Sequence, residues 1–169
     1  ALHYQRELNV SNVLITSGAT QAIFATIQAM VHSGEEVVIL DPSYDCYESP
    51  VLLSGAKPVR IPLTEDFLPD WERIRSNVSH RTKLIITNNP HNPSGRVWDK
   101  QDFKELQSLL NDFPNLWVLS DEVYEFISFE KKHISAHQIE GLKDRSIVVS
   151  SFGKTFHVTG WKIGYLTAP

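Results

Sequence analysis

Seven short apolar runs recur along this chain with amphipathic stretches between them, and that alternation leaves few folds open. The runs occupy residues 13–17, 36–40, 58–62, 83–88, 117–120, 146–150 and 161–167. They are rich in Val, Ile and Leu, the pattern of strands buried on both faces of a parallel sheet. In 20–32, Ile23, Ile27 and Met30 fall at i, i+4 and i+7, one face of a helix. In 99–110, Phe103, Leu106 and Leu110 do the same. Gly34 stands where the first of these helices would take its C-terminal cap. Strand–helix alternation predicts an α/β fold, a three-layer α/β/α sandwich with helices on both faces of the sheet.

The chain has 169 residues, enough for one domain with a core of its own. A net charge of −4 gives no electrostatic case for nucleic acid or an anionic membrane. No apolar run approaches the length of a membrane span, and no signal peptide opens the sequence. The single cysteine, Cys46, cannot form an internal disulfide, which fits a reducing compartment such as the cytoplasm. The chain begins at Ala1, in what reads as a helix tail, and stops at Pro169 directly after a strand-like run. A piece of a longer protein is therefore expected. Internal repeats, low-complexity segments and long linkers are absent from the sequence.

Open parallel sheets bind ligands beyond the carboxyl ends of their strands, so the residues after each run carry the functional information. They are Ser17-Gly18-Ala19-Thr20, Asp41-Pro42-Ser43-Tyr44, Asn88-Asn89-Pro90-His91-Asn92-Pro93-Ser94-Gly95, Asp121 with Glu122 and Tyr124, and Ser151-Phe152-Gly153-Lys154-Thr155. Small, polar and ionisable residues thus gather at one sheet edge, one site assembled from five loops. Asn92 precedes Asp121 by 29 residues and Asp121 precedes Lys154 by 33. Each interval is close to the roughly 30 residues of a strand–helix–strand unit, which returns the chain to the same edge.

The motifs Ser17-Gly18-Ala19-Thr20, Asn92-Pro93-Ser94-Gly95, Asp121-Glu122-Val123-Tyr124, Ser151-Phe152-Gly153-Lys154 and Thr159-Gly160-Trp161-Lys162-Ile163-Gly164-Tyr165 resemble, in order and spacing, those of the fold-type I, class I/II aminotransferases. These are enzymes of pyridoxal 5'-phosphate (PLP). The resemblance implies that residues 1–169 are the PLP-binding large domain, with a seven-stranded, mostly parallel sheet whose last strand is antiparallel. An N-terminal segment and a C-terminal small domain would lie outside it. The subgroup most resembled is the methionine/aromatic aminotransferases, on Asp41-Pro42-Ser43-Tyr44-Asp45-Cys46-Tyr47-Glu48 and Asn89-Pro90-His91-Asn92-Pro93-Ser94. That subgroup is similar in turn to kynurenine aminotransferases and cysteine-S-conjugate β-lyases. Amino acid and 2-oxo acid substrates and a cytoplasmic homodimer follow as further expectations.

The resemblance also implies roles. Lys154 resembles the Schiff-base lysine. An amine attacks an aldehyde only when unprotonated, which burial or nearby positive charge favours, and once released it can act as general base and acid. Asp121 resembles the carboxylate that keeps the pyridine nitrogen protonated, so that the ring accepts electrons; a helix N-cap is the plainer reading. Asn92 and Tyr124 resemble the donors to the ring's phenolic oxygen, although Asn92 also fits a turn and Tyr124 a core position. Gly18, Ala19 and Thr20 would offer backbone N–H groups to a phosphate at a helix start. Ser151 would add a hydroxyl and Lys162 a cation. Many relatives carry Arg where Lys162 stands, and Lys lacks the bidentate fork. Tyr44 aligns with the aromatic that stacks on the ring, with Tyr47 a nearby rival. His91, Trp161 and Tyr165 read first as packing residues.

Other readings fit less well. Gly153-Lys154-Thr155 ends like a phosphate-binding P-loop, but Val148 stands where that motif requires Gly. The seven histidines show no paired ligand spacing, and no metal is expected. Gly18 lacks the further glycines of a dinucleotide fingerprint. Amino-group transfer leads. A carbon–sulfur β-lyase using the same cofactor and a non-catalytic cofactor-domain fragment are the alternatives.

Overall fold

The strands form where the apolar runs stand. In the computed structural model, which describes residues 8–169, they are β1 (Val13–Ser17), β2 (Glu36–Asp41), β3 (Lys57–Pro62), β4 (Thr82–Asn88), β5 (Trp117–Asp121), β6 (Ser146–Ser151) and β7 (Ile163–Thr167). They join in one sheet of order β1-β7-β6-β5-β4-β2-β3. β7 runs antiparallel to both of its neighbours, and the other pairings are parallel. The helix tail expected near Ala1 lies outside the described residues.

The helices are α1 (Gly18–Met30), α2 (Glu48–Leu53), α3 (Trp71–Asn77), α4 (Lys100–Asp112) and the single turn α5 (Phe152–Thr155). Side chains alternate across a strand, so a strand covered on both faces must be apolar throughout. In β2, Val37 and Ile39 pack with Ile23 and Ile27 of α1, while Val38 and Leu40 pack with Ile74 of α3 and Phe103, Leu106 and Leu110 of α4. Two cores on opposite faces make the expected three layers. Asp99 caps α4, accepting from the N–H groups of Gln101 and Asp102 at 2.8 and 3.3 Å, which satisfies donors that have no partner within the helix.

Four expectations need correction. β1 and β3 are not fully buried. They are the edge strands, and Leu14 and Ile15 are 53% and 64% exposed. α1 ends at Met30 with Val31 as its cap, so Gly34 is no C-cap. Gly34 instead makes the turn into β2, with φ of +86° and its N–H on the Gly55 carbonyl. The connection from β5 to β6 contains no α-helix, only turns and a 3-10 turn at Ala136–Gln138. Finally, β7 starts at Ile163: Thr159–Trp161 is a 3-10 turn and Lys162 takes a left-handed conformation before the strand.

This topology builds one edge. The chain passes from β2 outward to β3, then returns to lay β4 on the other side of β2, so the loops after β2 and β4 diverge. A crevice opens at such a reversal. Asn88, Asp121 and Val149 are in register on β4, β5 and β6. Because β7 is antiparallel, its first residues reach the same edge, with Ile163 opposite Ser17 and Gly164 opposite Ser151.

Candidate active site

A cavity of about 490 Å³ opens at this edge, lined by all ten residues singled out from the sequence: Gly18, Ala19, Thr20, Tyr44, Asn92, Asp121, Tyr124, Ser151, Lys154 and Lys162. That volume suits a small organic ligand. The residues come from the ends of β1, β2, β4, β5 and β6 and the start of β7.

One end of the cavity is the N-terminus of α1. Its first amides have no carbonyl within the helix and carry the positive end of the helix dipole. Gly18 adopts φ of +75°, a conformation that glycine reaches without strain. Gly164 lies against this turn: a Cβ there would stand 2.5 Å from the Gly18 carbonyl carbon and 2.6 Å from the Ala19 nitrogen. Lys162 runs beside the same turn, its Cα and Cδ 3.8 Å from where a Gly18 Cβ would be. Ser151 closes β6 and precedes α5, which carries Lys154. Amides, a hydroxyl and an ammonium thus converge, a donor set for a phosphate dianion.

At the floor, Asp121 is buried, 3% exposed. Its Oδ2 accepts from the Tyr47 hydroxyl at 2.6 Å and its Oδ1 from the Val123 N–H at 3.3 Å. Burial pushes the Asp121 carboxyl up to about 6; the Tyr47 and Val123 hydrogen bonds pull it down, and the charge of Glu122 adds to the rise. A protonated ring nitrogen placed against this carboxylate would offset that desolvation. Burial likewise raises the hydroxyls of Tyr47 and Tyr124, and Asp121 adds to both.

Lys154 Nζ lies 5.7 Å from the centroid of the Tyr124 ring, within cation–π range. Asn92 is held by its backbone, the N–H donating to Asn88 Oδ1 at 2.7 Å, while Asn88 Nδ2 donates to the Asp121 carbonyl at 3.1 Å. Tyr44 is half-exposed and meets Tyr47 edge to face, centroids 6.1 Å apart. Tyr47, the rival, also lines the cavity but is buried with its hydroxyl committed to Asp121, and Tyr44 is the more exposed of the two.

Sequence reasoning missed Tyr47 as a partner of Asp121 and Asn88 as the strut of the Asn92 loop. Asn88 was legible as part of the loop after the fourth run, but with no role of its own. Of the three residues read as packing, His91 hydrogen-bonds the Pro42 carbonyl (2.9 Å) and Ser94 (2.7 Å), tying the Tyr44 and Asn92 loops together. Tyr165 donates to Glu125 at 3.2 Å. Trp161 is 73% exposed and does not pack into the described core.

The sequence matches the family model described as aminotransferase class I and II over residues 2–169. It is 45% identical over 161 residues to the methionine aminotransferase of Escherichia coli K12, covering 94% of this chain and 42% of that protein. It is 37% identical to human kynurenine–oxoglutarate transaminase 3, covering 98% and 39%. The fold superposes on the crystal structure of YbdL from Escherichia coli, reported to have a methionine aminotransferase function, with TM-score 0.95 and 43% identity over 98% of this chain and 44% of that one. The chain spans about two-fifths of the length of the curated relatives it matches.

Proposed function

Because the chain belongs to the aminotransferase class I and II family, we propose that the whole protein transfers an amino group between an amino acid and a 2-oxo acid, with PLP held in this cavity. The observation that carries the reading is the convergence of Lys154, buried Asp121 and the α1 N-terminus on one space of about 490 Å³. These residues would suit the three polar ends of PLP: an aldehyde, a pyridine nitrogen and a phosphate. When bound, PLP supplies an electron-accepting ring that stabilises negative charge on the adjoining substrate carbon.

The chain's own groups do the rest. The α1 amides of Gly18, Ala19 and Thr20, with Ser151 and Lys162, bind the phosphate and fix the register of the ring. Asp121, held by Tyr47, keeps a proton on the pyridine nitrogen. Asn92 and Tyr124 would donate to the ring oxygen, and Tyr44 would stack on the ring. Lys154 would hold the aldehyde, and its free Nζ would serve to move the proton at the substrate Cα. A preference for methionine or an aromatic amino acid is supported by the named relatives in E. coli and human. The working form is a cytoplasmic homodimer. No described helix is long and apolar enough to cross a membrane.

The test is covalent labelling. The full-length protein is loaded with PLP, reduced with borohydride and digested. The cofactor is expected on the peptide carrying Lys154, and Lys154→Ala should retain none. Label on another lysine would refute the assignment.

A further inference from the structure

Directly behind Asp121 lies a second buried carboxylate that the reaction does not use. Glu122 is 1% exposed and fully partnered: Oε1 accepts from the Ser120 hydroxyl and the Ala136 N–H, both at 2.9 Å, and Oε2 faces His133 Nε2 at 2.9 Å. His133 is itself buried, and its Nδ1 faces Asn89 Nδ2 at 3.4 Å. Asn89 Oδ1 accepts the Trp98 N–H at 2.9 Å, which orients the amide so that its NH2 points to the ring. Nδ1 is therefore the acceptor, and Nε2 carries the hydrogen donated to Glu122. From Asn89 the connection returns to the active site: its backbone N–H donates to the Asp121 carbonyl at 3.1 Å, the same oxygen that takes Asn88 Nδ2, and Asn88 holds the backbone of Asn92.

We infer that Glu122 and His133 are positioning residues, a buried pair that clamps the Asn88–Asn89 end of the Asn92 loop to the end of β5 and so fixes Asn92 relative to Asp121. The inference rests on the cofactor reading above. Neither side chain lines the cavity, so the pair acts through Asn89 and through the backbone of Asp121. The β5–β6 connection has no α-helix to hold it; the Glu122 contacts to Ala136 and His133 tie it down instead. A buried network of this kind is stable only when every member is satisfied. Replacing His133 by an apolar residue leaves Glu122 Oε2 and the Asn89 NH2 without partners, and the Asn88–Asn89 end of the Asn92 loop loses its clamp to the end of β5.

The experiment compares His133→Leu and His133→Gln in the full-length protein loaded with PLP. Borohydride labelling of Lys154 in the parent is checked first. A parent that does not label refutes the cofactor reading itself, separately from the clamp. The readout is the pH midpoint of the bound cofactor's absorption, which the Asn92 donor to the ring oxygen lowers. His133→Leu is expected to move the midpoint upward by about half a unit or more and to weaken PLP binding about tenfold. His133→Gln carries both an N–H donor for Glu122 and an amide oxygen that can accept from Asn89, and should recover most of the shift. A His133→Leu protein that keeps the parent midpoint, whatever its melting temperature, overturns the inference, because a merely structural histidine lowers stability without touching that titration. Nitrogen NMR of labelled histidine in the parent provides a second reading that needs no variant. The Nε2–H tautomer is required, and a ring protonated at Nδ1 would break the path to Asn89 and with it the proposal.

Discussion

Desolvation and hydrogen bonding oppose each other at Asp121. The residue is buried, which disfavours the carboxylate, while Tyr47 and Val123 donate to it, and the balance leaves the carboxyl at about 6 against an ordinary 3.8. Between those two values the folded protein holds a proton that the unfolded chain has released. The folded state then binds more protons, so stability is fully present below about pH 4 and falls as pH rises through about 6. The span corresponds to about 3 kcal/mol. Asp121→Asn keeps an oxygen for Tyr47 and cannot ionise. Denaturant melts of the cofactor-free protein from pH 4 to 8 should show the variant gaining on the parent as pH rises, and the gain levelling above the folded value. A difference between the two that ignores pH would refute the burial argument. Asp121 was legible in the sequence from its place after a strand. Tyr47 was not, because a hydroxyl 74 positions away in sequence meets the carboxylate only through the β2–β5 geometry.

The element that most determines the site is the first turn of α1, and it is built by contact with β7. Gly164 stands opposite Ser151 in the sheet and directly under Gly18 and Ala19. A methyl group there meets backbone atoms, not a movable side chain, so Gly164→Ala must push the α1 N-terminus outward. The expected cost is about 1–3 kcal/mol of stability. PLP affinity should fall about tenfold or more, since the displaced amides are the proposed phosphate donors. Calorimetric titration of PLP into the variant checks this; affinity equal to the parent's would mean the turn does not hold the phosphate. The apolar runs made β2, β4, β5 and β6 legible because both faces of these strands are covered, and the i, i+4 pattern made α1 and α4 legible because each buries one apolar stripe on the sheet. Failure came where covering is one-sided or polar. The edge strands β1 and β3 read like central ones because a run of Val, Leu and Ile does not reveal its neighbours. The β5–β6 connection is held by Glu122, His133 and Ser135 and not by an apolar stripe, so periodicity had nothing to register.

Across the whole molecule, the cavity is furnished for a cofactor more completely than for a substrate. The cations lining it are Lys154 and Lys162, one assigned to the aldehyde and the other to the phosphate. An amino acid brings a carboxylate of its own, and no further cation among the lining residues is left to meet it. Apolar side chains also stand in the open, with Val10 92%, Phe129 94% and Trp161 73% exposed. Together with a span of about two-fifths of the relatives' length, these features support the proposal that this chain supplies the cofactor site and that the whole protein anchors the substrate with further residues. Residues 1–169 expressed alone are therefore expected to take up PLP, yet to turn over methionine or aromatic amino acids at least roughly 100-fold more slowly than the full-length protein, the scale of loss when a reactant is not held in place. Parallel assays of both proteins with a 2-oxo acid acceptor measure that ratio. Comparable rates would show that the 169 residues position the substrate themselves, and the missing cation would then have to be one of the two lysines serving twice.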